Sequence, residues 1–171
     1  MEFSFLYAIP RTAVLDSFFL AVTKIAGSYG QLWVIVAAML LIFKKTRKAG
    51  VAVLLAYAAV FLIGQYGLKN LFSRLRPCQI DLDFALLVDR PSSSSFPSTH
   101  SAWAFGAATA IYMRHKKSGV AAFIAAALIA FSRMYLFLHF PTDVLFGIVL
   151  GIALGVFANW ITGHIWKTAN D

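Results

Sequence analysis

Three short clusters along the chain hold side chains suited to phosphate chemistry: Lys69 with Arg76 and Pro77, then Pro97-Ser98-Thr99-His100, then Ser132-Arg133 followed by His139 and Asp143. Each supplies what the others lack. The first offers cations for a phosphoryl group, the second a histidine able to donate a proton, and the third a histidine with a carboxylate four residues on. A carboxylate at Asp143 can reach back to one imidazole nitrogen of His139. That fixes the tautomer, leaves the other nitrogen free to attack, and stabilises the imidazolium that forms.

The elements around these clusters follow from local sequence. Lys69 and Arg76 are seven apart, so on a continuing helix they project from one face two turns from each other and could reach one anion. Pro97 and Ser98 precede an apolar helical run. Ser98 or Thr99 is a natural N-cap there, and the free amides behind it form an anion site at the positive end of the helix dipole. Pro141 and Thr142 read as the start of a further helix. Each feature alone has a plainer reading: cations near helix ends snorkel to an interface, a histidine at a helix start caps it, and a His-Asp pair caps the next helix. Arg74 and Arg90 stay under the plain reading, because neither belongs to a cluster.

Read as motifs, the clusters are K-x6-RP, P-S-T-H and SR-x5-H-x3-D, in that order. They resemble the signature of the type 2 phosphatidic acid phosphatase (PAP2) family, which shares its site with vanadium haloperoxidases. The resemblance covers roughly residues 10 to 162. It implies an all-α, PAP2-like membrane core and a metal-free phosphatase in which His139 attacks phosphorus to give a phosphohistidine, Asp143 orients it and His100 is the general acid. By the same resemblance Lys69, Arg76, Arg133, Ser98 and Thr99 hold the phosphoryl oxygens. One residue departs from the pattern, Thr99 standing where the family has Gly. Gly lets a backbone amide approach phosphate closely. Thr99 costs little if its dihedrals are helical, and impairs the site if a positive φ is needed there.

Composition says where such a site works. The chain of 171 residues is 60% hydrophobic and only 13% charged, with a mean hydropathy of +0.76, far more apolar than a soluble domain of this size. Apolar stretches recur at Thr12 to Ala26, Leu32 to Phe43, Val51 to Leu68, Ala102 to Met113, Val120 to Leu138 and Val144 to Ile161. With their polar flanks they are read as six transmembrane helices in a single domain, 1–171. Asp16 and Lys24 interrupt the first stretch, so it is expected to be retained rather than cleaved as a signal peptide.

The net charge of +8 is a topology signal before it is a sign of nucleic acid, because seven of the fifteen Lys and Arg lie in two runs, Lys44 to Lys48 and Arg114 to Lys117. Both fall in short loops after the second and fourth spans, which the positive-inside rule places in the cytoplasm. Both chain ends then lie inside as well, and all three motifs lie on the outer face. A polar connection, about 73–97, crosses that face as a lid or as a flexible linker. Cys78 is alone, so no intrachain disulfide forms, and no Cys or His pair has metal-ligand spacing. Trp33, Trp103, Trp160 and Trp166 read as interface anchors or packing. Gly147, Gly151 and Gly155 form a ladder for close helix contact, within the chain or between subunits.

A site at the outer ends of membrane helices is reached most easily by a phosphate whose tail stays in the bilayer. The expected substrate is a lipid phosphate or diphosphate. Small bacterial proteins that look like this one act on undecaprenyl diphosphate, ranked first here on resemblance alone, or on phosphatidylglycerol phosphate and phosphatidate, in the plasma membrane. The alternatives are a lipid or sugar phosphotransferase with the same chemistry, which phosphate transfer to an added acceptor would reveal, and a catalytically silent carrier or assembly protein, for which His139→Ala would be neutral.

Overall fold

The structure is a computed structural model describing residues 1–168, all helical and without a strand among them. α1 (Glu2–Tyr7) leads to α2 (Ala13–Ala26), which Thr12 caps by accepting from the Leu15 amide at 3.3 Å. Gly27 and Gly30, at φ 75° and 68°, make the sharp turn into α3 (Gln31–Ile42). α4 (Arg47–Ala59) runs without a break into a π-helical stretch, Val60–Leu68, and then into α5 (Lys69–Phe72). The chain bends at Ser73, forms the short α6 (Pro77–Ile80), crosses a long loop, and closes with α7 (Thr99–Tyr112), α8 (Lys116–Tyr135) and α9 (Pro141–Thr168).

α7 is the axis of the bundle. Eleven of its fourteen residues are buried, enclosed by α4, α8 and α9. Its alanines and the α9 glycines let backbones approach closely. A Cβ on Gly147 would collide with the Ser98 carbonyl and one on Gly151 with that of Ala102, while one on Gly155 would stand 2.6 Å from the Gly106 oxygen. The glycine ladder is therefore an internal contact. Trp33 and Trp103 are packing residues, 3% and 2% exposed, and the Trp103 indole stacks on Tyr57 at 5.4 Å.

Each of the six apolar stretches becomes a helix, but among the described residues three runs are long and apolar enough to cross a bilayer: Arg47–Ile80, Lys116–Tyr135 and Pro141–Lys167. α2 and α3, bent by 55°, make a fourth if counted as one span. At about 1.5 Å per residue, α2 and α3 reach only about 21 and 18 Å, against roughly 30 Å of hydrocarbon. α2 instead packs on the last turns of α8, with Phe19 against Phe131 and Tyr135, and the Tyr135 hydroxyl donating to Asp16 at 2.6 Å.

The N-terminal end is also displaced from its expected face. Glu2 accepts from Arg74 and from the Thr142 hydroxyl, both at 2.6 Å, so α1 lies at the same end as the three motifs rather than opposite them. Its apolar face joins an aromatic cluster of Phe3, Tyr7, Phe84, Phe137 and Phe140. The basic runs sit at the far end, where Arg114 donates to Asn159 at 2.9 Å and the Lys48 ammonium lies 5.7 Å from the Trp166 ring.

Candidate active site

α8 ends in a hydrogen-bonded turn that aims the third cluster. The Leu138 amide donates to the Arg133 carbonyl at 3.0 Å and the Phe137 amide to that of Met134 at 2.9 Å, the double bond of a Schellman motif. Phe137 occupies the left-handed position usually held by Gly, at φ 60°. The cost of that conformation, about 1 kcal/mol, is offset by its full burial and by stacking on Phe84 at 3.8 Å. The turn delivers His139 two residues later. α9 then starts at Pro141, and Asp143 in its first turn accepts from the Phe140 amide at 2.9 Å. Asp143 thus caps the helix and faces the histidine with the same carboxylate.

Between His139 and Asp143 stands a third side chain. The ring Nδ1 is 3.7 Å from Asp143 Oδ2, too far for a hydrogen bond. The Ser95 hydroxyl lies 3.4 Å from Nδ1 and donates to Oδ2 at 2.5 Å. On the other side of the ring, Arg76 Nη1 is 2.9 Å from Nε2. A guanidinium only donates, so Nε2 carries no proton and the proton sits on Nδ1. A directed chain follows: Arg76 to Nε2, Nδ1–H to Ser95 Oγ, Ser95 O–H to Asp143. Burial first, then the positive charges of Arg76 and Lys69, hold the His139 imidazolium well below its ordinary range. The ring is neutral and its lone pair is on Nε2.

The first cluster converges by a route other than the expected one. The helix carrying Lys69 stops at Phe72, Ser73 turns at φ 43°, and Arg76 is extended at φ −81°, ψ 156°. The two cations therefore do not share a helical face. They meet on the loop instead, donating to the Ser94 carbonyl at 2.7 and 3.2 Å. Arg76 also donates to the carbonyls of Ser93 and Leu138, each at 2.9 Å. Ser95 donates its amide to the Arg74 carbonyl at 2.7 Å, and Gln79 holds the Pro91 carbonyl at 2.9 Å. The long connection is thus a tethered wall.

Of the second cluster, Thr99 is the first residue of α7 and Ser98 its N-cap. Positive φ among the described non-glycine residues is confined to Ser73 and Phe137, so Thr99 is helical. Its hydroxyl donates to Gln65 Oε1 at 3.2 Å, and its methyl faces Gly64, where a Cβ would stand 3.3 Å from it. The Ser98 hydroxyl pairs with Ser101 at 2.9 Å instead of capping the helix, and its amide donates to the Asp143 carbonyl at 3.1 Å. His100 Nε2 is 3.0 Å from the Gly27 carbonyl, so that nitrogen bears a proton.

Lys69, Arg76, Thr99, His100, Arg133 and His139 line one cavity of about 750 Å³; Ser98 and Asp143 stand behind its wall. Lys69, Arg76 and Arg133 are 5%, 5% and 3% exposed. Arg133 is steadied by Thr23 and by Ser132 Oγ at 3.1 Å. The nearest buried carboxylate, Asp143, is taken by a fourth cation, since Arg74 donates to its Oδ1 at 2.6 Å while also binding Glu2. Desolvated cations whose partners are neutral carbonyls and hydroxyls call for an anion in the cavity. Among the described residues no three His, Cys, Asp or Glu converge as metal ligands.

Sequence reasoning passed over Arg74, Ser95 and Glu2. Arg74 stood two residues before Arg76, and Ser95 lay in a serine run read as loop polarity. Glu2 gave no signal, because only the fold brings it to Thr142.

Residues 45–167 match the family profile described as the PAP2 superfamily. An undecaprenyl-diphosphatase of Sulfolobus acidocaldarius is 32% identical over 142 residues, 82% of this chain and 68% of that protein. Among solved structures, a transmembrane PAP2-type phosphatidylglycerolphosphate phosphatase from Bacillus subtilis superposes with TM-score 0.71 at 33% identity, covering 91% of this chain and 80% of the other. Aquifex aeolicus LpxE superposes with TM-score 0.68 at 30% identity, covering 86% and 87%.

Proposed function

The chain belongs to the PAP2 superfamily, and from that premise we propose that it is a membrane-embedded lipid phosphatase working through a phosphohistidine at His139. The observation that carries the reading is the cavity itself, three buried cations around a histidine whose unprotonated Nε2 is held by one of them.

The substrate's phosphoryl group enters the cavity and its oxygens take Lys69, Arg76 and Arg133, with the first amides of α7 behind Thr99. Arg76 exchanges His139 Nε2 for a phosphoryl oxygen, which brings a cation to the reacting group and frees the lone pair in one motion. Nε2 then forms a bond to phosphorus while the bond from phosphorus to the leaving oxygen breaks, its electron pair going to that oxygen. The negative charge of the entering phosphoryl group lets His100 take up a second proton, and the resulting imidazolium, with Nε2–H committed to Gly27, protonates the leaving oxygen from Nδ1 and returns to the neutral ring. Positive charge developing on His139 is balanced through Ser95 by Asp143. Water next attacks the phosphohistidine, the P–N bond breaks, and inorganic phosphate leaves. In-line transfer of this kind asks the protein mainly for positioning and charge neutralisation, which fixed side-chain cations provide without a metal.

Undecaprenyl diphosphate is the first-ranked substrate, with phosphatidylglycerol phosphate and phosphatidate behind it; relatives named for the first two chemistries stand at similar identity. The basic end faces the cytoplasm of the cell carrying the protein, and the cavity and Glu2 face outward. Counting α2 with α3 as one bent crossing puts the N-terminal end outside, beside the cavity, and the C-terminal end inside. The test is phosphate release by detergent-purified protein in EDTA from each of the three lipids, beside His139→Ala. Chelator-resistant release that vanishes in the mutant is expected. Release that persists in the mutant, or depends on added metal, refutes the mechanism.

A further inference from the structure

Five cations line the cavity, namely Lys24, Lys69, Arg76, Arg90 and Arg133, against one carboxylate, Asp89. A single phosphoryl group accounts for the three buried ones. Arg90 is largely committed, donating to the carbonyls of Leu82 at 3.1 Å and Asp81 at 3.4 Å beside Asp89. Lys24 is different. It stands in the last turn of α2, solvent-exposed yet part of the cavity wall, and no hydrogen bond or ion pair engages its ammonium among the described residues. The negative end of the α2 dipole makes a lysine welcome in that turn, yet this would hold equally for a side chain facing away from the cavity.

The place of Lys24 in the reaction follows from its neighbours. Three residues on, the Gly27 carbonyl holds His100, the proton donor to the leaving oxygen; one residue back, Thr23 holds Arg133. The end of α2 therefore abuts the acid side of the cavity. In an in-line displacement the attacking and leaving groups lie on opposite sides of phosphorus, so what adjoins His100 is the leaving group. An alcohol leaving group gives a lysine nothing to neutralise. A phosphate leaving group does, and its charge grows as the bridging bond breaks.

We propose that Lys24 is a specificity-determining residue that binds the second, departing phosphate of a lipid diphosphate and so sets this cavity for diphosphates over monophosphates. The inference rests on the phosphatase reading above. In the step, His139 Nε2 bonds to the terminal phosphorus, and the bond from that phosphorus to the bridging oxygen breaks with its electron pair left on the oxygen. His100 supplies the proton, and a lipid monophosphate departs along Lys24.

The experiment compares the full chain with Lys24→Gln and Lys24→Arg in detergent, on a prenyl diphosphate and a prenyl monophosphate of equal chain length. Lys24→Gln should lower kcat/KM on the diphosphate by roughly 10- to 100-fold, the scale of one lost charge-assisted contact, and leave the monophosphate value unchanged. Lys24→Arg should restore most of the loss, which a merely structural role would not give. An equal fall on both substrates, or no fall on the diphosphate, overturns the assignment. Failure of the unaltered protein to release phosphate from either substrate would instead overturn the phosphatase reading, and this one with it.

Discussion

Removing the Ser95 hydroxyl tests the link between His139 and Asp143. Ser95 is fully buried, and in Ser95→Ala the Asp143 carboxylate keeps Arg74 on one oxygen and the Phe140 amide on the other. The carboxylate therefore stays satisfied and the fold should hold. His139 Nδ1–H loses its acceptor, and with Nδ1 3.7 Å from Oδ2, a direct bond of about 2.9 Å needs roughly 0.8 Å of movement in a packed site. A hydrogen bond to a group that becomes charged contributes about 1.5–3 kcal/mol. At 1.36 kcal/mol per factor of ten, kcat should fall by roughly 10- to 100-fold. KM should stay level, since Ser95 is absent from the cavity wall. The assay is steady-state phosphate release beside Asp143→Asn, which should lose more. A Ser95→Ala enzyme within about twofold of the parent in kcat would refute the relay and mean that the two residues bond directly during turnover.

Three further outcomes follow from the same geometry. Gly147→Ala places a methyl group against the Ser98 carbonyl; overpacking should cost about 1–3 kcal/mol, read as a lower unfolding temperature in detergent, and an unchanged temperature would deny the close α7–α9 contact. Thr99→Gly loses the Gln65 bond and adds a glycine to the first turn of α7, so stability should drop by about 1 kcal/mol with kcat little changed, whereas a large gain in kcat would show that the site wants a positive φ there. Burial and the neighbouring cations keep His139 neutral as pH falls through 6.5, so the acid limb of kcat/KM belonging to the free enzyme's nucleophile should lie below that value. The sign for stability agrees: the contribution is full above about 6.5, the unfolded value, and is lost as pH falls toward the depressed folded one. An acid limb centred at 6.5 or higher would contradict the burial and charge argument.

The chemistry-bearing residues were legible because their types and order are local properties of the chain. What joins them was not. Ser95 and Arg74 reach Asp143 across 48 and 69 residues of sequence, and no periodicity reports contacts of that range. Lys69 and Arg76 illustrate the limit from the other side. Their seven-residue spacing suggested a shared helical face, while the fold breaks the helix at Ser73 and brings them together on the Ser94 carbonyl. The expected convergence had a different cause. Thr99 was undecidable from sequence, because helical and left-handed starts differ by a single dihedral that α7 settles only once it packs beneath Gly64 and Gly147.

The topology shows why the number of crossings before the first basic run leaves the site intact. Hydropathy registers apolar composition, not length against a bilayer, so the fourteen, twelve and fourteen residues of α2, α3 and α7 all counted as spans although each is shorter than the roughly 20 residues a crossing takes. The difference lies upstream of Lys44, the first residue of the first basic run. From that run onward the alternation of ends is unaffected: Arg47 starts at the basic end, Lys69 and Arg76 arrive at the other, α7 and α8 go and return, and His139 meets His100 there. Merging α2 and α3 moves only what precedes them. It carries Glu2 from the basic end to the site, where its carboxylate meets Arg74 and lets one guanidinium bridge the chain's first helix to Asp143, which stands beside His139. The misplaced end of the chain is thereby the part that buttresses the cavity.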